Sequence, residues 1–159
     1  NYHDQVYINS PSDIAYWAQA MHRRGIKADA AIFEAGMIAN TMGLVDQGWL
    51  EPPLLFNLVL GLRGGMPESP RNLLFLRESL PSDALWYATD YGPNPVAMAA
   101  MAIAMGGHAR AGFEDNPYDR DGVVARSNAQ LVEQLARLGQ EIGREIATPE
   151  RVRQMLGLT

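Results

Sequence analysis

Apolar positions along this chain switch repeatedly between a helical rhythm and short unbroken runs, and glycine or proline punctuates most of the switches. Ser10-Pro11-Ser12-Asp13 marks a helix start, with Ser10 as N-cap, Pro11 at the first helical position and Asp13 placed for a capping box. That helix carries Ile14, Trp17, Ala18 and Met21 at helical spacing and stops at Gly25. Residues 28–34 predict a strand, 37–47 a helix ending at Gly48, and Leu54–Leu60 the clearest strand of the chain. Ser69-Pro70 opens a helix that runs to Leu80, and a short strand over 85–89 follows. Asn94-Pro95 caps an alanine- and methionine-rich helix ending at Gly106-Gly107. A strand over His108–Glu114 comes next, then helices over 123–142 and 148–156, the last begun by Thr148-Pro149.

This order is one helix followed by four βα units in series, and links of that kind build a parallel sheet. A doubly wound open sheet and one half of a (β/α)8 TIM barrel both satisfy it. Four strands cannot close a barrel, and 159 residues are too few for a whole one of roughly 250. The half-barrel is the favoured α/β architecture, because Glu34, Arg63, Asp90 and Glu114 recur at or just beyond the carboxyl ends of successive strands. The expectation is a single domain over 1–159, carrying strands five to eight and extra C-terminal helices.

Composition narrows the class. Hydrophobic residues at 47% and charged residues at 19% describe a globular chain, and a net charge of -5 gives no basic footprint for nucleic acid. Cysteine is absent, which removes thiolate ligands and nucleophiles and fits a reducing cytoplasm. No apolar run approaches the roughly 18 residues of a membrane span, and no signal peptide is seen, although the chain starts at Asn1. A small-molecule substrate in a cytoplasmic protein is the expectation, with neither nucleic acid nor membrane as partner.

Candidate chemistry concentrates in His108-Ala-Arg-Ala-Gly-Phe-Glu-Asp-Asn116. As a strand it would put His108, Arg110, Gly112 and Glu114 on one face and Phe113 and Asp115 on the other. An acid–base or metal site at a barrel mouth fits these residues, and so does a buried ion pair with a helix-capping Asp. Glu34 reads as a substrate-orienting carboxylate at the mouth or as an acid held at a helix start. Gly61-Leu-Arg-Gly-Gly-Met66 can offer successive amides and Arg63 to an anion, or serve as a plain tight turn; it is neither a Walker loop nor a dinucleotide fingerprint. Arg63, Gly64 and Gly65 are therefore candidate substrate-binding residues. The loop Asp90–Pro95 reads mainly as helix capping. His3, His22 and His108 form no ligand pair, and no nucleophile elbow occurs, so acid–base or metal-assisted chemistry is the better expectation than covalent catalysis.

Several blocks occur in order: Asn9-Ser-Pro-Ser-Asp-Ile14, Phe33-Glu-Ala-Gly-Met37, Leu58-Val-Leu-Gly-Leu-Arg-Gly-Gly-Met66, Gly106-Gly-His-Ala-Arg-Ala-Gly-Phe-Glu-Asp-Asn116, Ser127-Asn-Ala-Gln-Leu131 and Ala147-Thr-Pro-Glu150. With them the chain resembles the β-keto acid cleavage enzyme family (3-keto-5-aminohexanoate cleavage enzyme-like), over essentially its whole length and as the carboxyl-terminal half. The resemblance implies a zinc-bearing βα barrel that exchanges a carbon–carbon bond of a β-keto acid with acetyl-CoA, giving acetoacetyl-CoA and a shortened product. By motif, Glu114 matches the family's glutamate zinc ligand, Asp115 its base and Arg110 the arginine that partners the base.

Two departures accompany the resemblance. The family's His-x-His zinc pair belongs to an early strand that this chain lacks, and zinc needs about three protein ligands in a catalytic site. Where many members read Gly-Ile-Gly-Arg, this chain has Thr89-Asp-Tyr-Gly92. The implied cofactors are Zn2+, with its other ligands outside this chain, and acetyl-CoA as co-substrate. A homotetramer is implied for the intact protein, and no activity is expected of this fragment alone. The alternatives are a CoA-independent metal-dependent aldolase or lyase, and a non-catalytic half-barrel assembly module.

Overall fold

The computed structural model describes residues 6–158; His3 lies outside them. The chain begins with helix α1 (Pro11–His22), and Ser10 caps it as its sequence predicts. Its hydroxyl accepts from the Asp13 N–H at 3.1 Å, and Asp13 accepts in return from the Ser10 N–H at 3.3 Å. Strands β1 (Asp29–Ile32), β2 (Leu55–Leu60), β3 (Leu85–Asp90) and β4 (His108–Ala109) then alternate with α2 (Gly36–Asp46), α3 (Pro70–Ser79) and α4 (Pro95–Ala104). Helices α5 (Asn128–Glu141) and α6 (Pro149–Leu156) finish the chain.

The strands form one parallel sheet in the order β1-β2-β3-β4, so every connection steps to the neighbouring strand in the same direction. This is an α/β fold consistent with half of a βα barrel. Alternation along the strands separates two faces. One face carries Ile32, Phe56, Leu58, Leu60, Trp86 and Ala88, which pack with Ile38, Leu73, Leu76, Met98 and Ala102 of the helices into the core. Each fully buried large side chain there contributes about 1.5–3 kcal/mol over its exposed state. The opposite face is mixed: Asp29, Asn57, Tyr87 and Thr89 lie on it among Ala31, Leu55, Val59 and Leu85, and Thr89 donates to Asn57 in a buried bond of 2.7 Å.

Three sequence expectations are corrected. The strand predicted to reach Glu114 stops at Ala109, because the amides of Asp115 and Asn116 both turn back to the Gly112 carbonyl at 3.0 Å. Phe113 gives its amide to the Asn128 side chain rather than to a strand partner. The helix predicted from residue 123 begins at Asn128, capped by the Ser127 hydroxyl. The Val123-Val124 pair belongs instead to a loop closed by a bridge between Tyr118 and Val124 and by the Asp119 carboxylate, which accepts from the amides of Asp121 and Val123. Asn94 precedes α4 but makes no side-chain cap bond, so Pro95 alone marks that start.

Candidate active site

The turn that ends β4 gathers the charged residues. Because the chain bends after Ala109, Glu114 and Asp115 no longer alternate across a pleat, and both meet one arginine. The Arg110 guanidinium donates through Nε to Asp115 Oδ2 at 2.8 Å and through Nη2 to Glu114 Oε2 at 2.6 Å. The two carboxylates sit in opposite surroundings. The Asp115 side chain is 4% exposed and that of Glu114 79%. A nearly buried carboxylate needs its compensating charge, so losing Arg110 would cost more at Asp115 than at the exposed Glu114.

Two tyrosines complete the arrangement. Tyr91, just past β3, donates its hydroxyl to Asp115 Oδ1 at 3.0 Å, so each oxygen of Asp115 has its own donor. Tyr87 lies on the same face of β3 as Thr89 and donates to Asp29 Oδ2 at 2.5 Å, with the Arg110 charge near enough to act on it. The electrostatics follow from these contacts. Burial, reinforced by the hydrogen bond and charge of Asp115, pushes the Tyr91 phenol up to about 12. Burial likewise raises Tyr87, with Asp29 adding to it. Burial pulls the Arg110 guanidinium down, but the charge and bond of Asp115, with Tyr87, outweigh it and hold Arg110 above its ordinary value. Both tyrosines thus stay protonated donors and Arg110 stays a cation through neutral pH.

The other residues singled out in the sequence sit at the same end of the sheet but after other strands. Glu34 follows β1 and accepts from the Gly36 N–H at 2.9 Å, at the first turn of α2. Arg63, Gly64 and Gly65 follow β2, where the Gly65 amide donates to Leu62 and the Met66 amide to Phe33. Gly61 in that loop has a φ of 77°, and a Cβ there would meet the Gly92 backbone nitrogen at 2.5 Å, so the β2 and β3 loops touch without a side chain between them. Asp90 closes β3, accepting the Gly92 N–H at 2.9 Å while its second oxygen is buried without a partner. His108 is half-buried, and burial with the nearby Arg144 charge lowers it. Sequence reasoning missed Tyr87 and Tyr91. Only the predicted strand faces could have signalled Tyr87, and nothing local marks Tyr91.

The donor set bears on zinc directly. Among the described residues no group of three His, Cys, Asp or Glu side chains could hold a metal ion. Glu114 presents one exposed carboxylate, already paired with Arg110, and the described residues alone do not make a zinc site.

The comparisons with known proteins bear on this geometry. A family model described as beta-keto acid cleavage enzyme matches residues 1–158. The chain belongs to the β-keto acid cleavage enzyme family. It is 40% identical over 156 residues to a 3-keto-5-aminohexanoate cleavage enzyme of Acetoanaerobium sticklandii, covering 98% of this chain and 57% of the relative. A protein of the same name from Fusobacterium nucleatum is 41% identical over 155 residues, covering 98% of this chain and 56% of the relative. A 3-dehydrocarnitine:acetyl-CoA trimethylamine transferase of Rhizobium meliloti is 33% identical, with 98% of this chain and 52% of the relative covered. The chain therefore spans little more than half the length of these curated relatives. Among the described residues, no helix of this family member is long and apolar enough to cross a membrane.

Proposed function

We propose that this chain is the carboxyl-terminal half of an enzyme that exchanges the acyl group of a β-keto acid with acetyl-CoA. The observation carrying the reading is the nearly buried Asp115 carboxylate, held by Arg110 at 2.8 Å at a strand end, in a chain that its family matches from end to end. Asp115 is the base. It takes a proton from the carbon between the ketone and the carboxylate, where two carbonyl groups make that proton acidic, while Arg110 holds the aspartate through Oδ2. The carbanion attacks the acetyl-CoA carbonyl and expels the CoA thiolate. The thiolate then attacks the original ketone, and the bond from that carbonyl to the central carbon breaks. Asp115 returns its proton to the departing carbon.

Atom balance corrects the product expected from the sequence. The acetyl group ends on the carbon bearing the carboxylate, so free acetoacetate leaves and the shortened acyl group leaves as the CoA thioester. Glu114 is proposed as one zinc ligand with the rest from outside this chain, and no step above is routed through the metal. Glu34 and the Arg63–Gly65 loop, at the same end of the sheet, are the proposed contacts for the substrate's polar groups.

The decisive assay uses the protein extended to the length of its relatives, with a panel of β-keto acids and mass detection of CoA thioesters. A new acyl-CoA and acetoacetate are expected only when acetyl-CoA is present. Keto acid cleavage without acetyl-CoA would favour an aldolase instead, and no cleavage at all would leave an assembly module. Asp115→Asn is expected to lower kcat by about 10²–10⁴-fold. The 159-residue chain by itself is expected to be inactive, and measurable turnover by it would overturn the half-site reading.

A further inference from the structure

The loop after β3 is tied down at three points. The Tyr91 N–H donates to the Leu60 carbonyl at 2.9 Å, which fastens it to β2. The Gly92 N–H donates to Asp90 at 2.9 Å, and the Gly92 carbonyl accepts from the Asn116 side chain at 2.7 Å, which fastens the loop to the turn holding Asp115. A loop so restrained places its side chain without freedom to search, and the Tyr91 hydroxyl lands on Asp115 Oδ1 at 3.0 Å.

A carboxylate held through one oxygen still rotates about its last bond, because that torsion is broad and soft. Arg110 alone leaves Asp115 in that condition, since its Nε binds Oδ2 only and its Nη2 is drawn towards the exposed Glu114. A second donor on the other oxygen stops the rotation. Each carboxylate oxygen offers about two acceptor positions, so the clamp still leaves room for an incoming proton. We propose that Tyr91 is a positioning residue that fixes the orientation of the Asp115 carboxylate for proton transfer. The inference rests on the role of Asp115 proposed above.

Removing only the hydroxyl, in Tyr91→Phe of the protein extended to the length of its relatives, keeps the ring and its packing. The expected result is a fall in kcat of about tenfold or more, with KM for both substrates within about twofold. The same change made in an Asp115→Asn background is expected to have no further effect on residual turnover, because the two act as one unit. An unchanged kcat in Tyr91→Phe overturns the proposal. So does an equal fall in both backgrounds, which is the mark of a purely structural role. If the parent protein cleaves no β-keto acid, the proposed function fails, and the clamp is then decided by a crystal structure of Tyr91→Phe. An Asp115 carboxylate rotated from its Arg110 contact supports it, and an unmoved one overturns it.

Discussion

Asp90 ends β3 with one carboxylate oxygen capping the Gly92 amide and the other buried without a partner. Burial pushes it from 3.8 up to about 6, the Gly92 N–H works against that, and the charge of Glu68 adds to it. The folded acid therefore binds its proton more tightly than the unfolded one. Between pH 3.8 and about 6 the folded chain holds more protons, so this group's contribution to stability is fully present below that window and is lost as pH rises through it. Asp90→Asn should raise unfolding stability by about 1–2 kcal/mol at pH 7, with the gain shrinking towards pH 4. Urea denaturation at the two pH values checks this, and a gain independent of pH would sink it. At this scale the ion pairing of Arg110 with Glu114 and Asp115 was legible because their types and spacing are local. Tyr91 was not, because its partner lies 24 residues away and only the folded loops bring the two together.

The elements were legible where a side chain terminates a backbone pattern. Ser10, Ser69 and Thr148 each precede a proline and each accepts the amide three residues on. Ser69→Ala should accordingly destabilise by about 1 kcal/mol in thermal or chemical denaturation, since the Asn72 amide loses its acceptor. Glycines divide by what surrounds them. Gly48 has a φ of 74°, and a Cβ added there would meet nothing within 4 Å, so Gly48→Ala should cost only about 1–2 kcal/mol. Gly61 carries the same strain and also faces the Gly92 backbone, so Gly61→Ala should cost clearly more; equal losses in denaturation would contradict the loop contact. Where period alone had to decide, the reading failed. Alternation in His108–Glu114 does not reveal where ladder bonds stop, and two adjacent valines do not distinguish a helix start from a bridged loop.

Across the whole molecule the sheet has two lateral limits, since β1 and β4 each pair on one side only among the described strands. Their unpaired backbone groups favour association through strand edges. The purified 159-residue chain should therefore show a concentration-dependent increase in mass by light scattering, and a monomer throughout the micromolar range would contradict this. The parallel order was readable from the βα rhythm, whereas the sharing of one face by Asp29, Asn57, Tyr87 and Thr89 emerged only once the strands were in register.

The turn after β4 also has a consequence for the order of folding. Asp115 lies five positions after Arg110, and both Tyr91 and the turn belong to a single βαβ passage. Short closures of this kind carry a low entropic cost and form early. The cluster of Arg110, Asp115 and Tyr91 can thus be assembled as soon as β3 and β4 pair, before any distant part of the polypeptide has found its place.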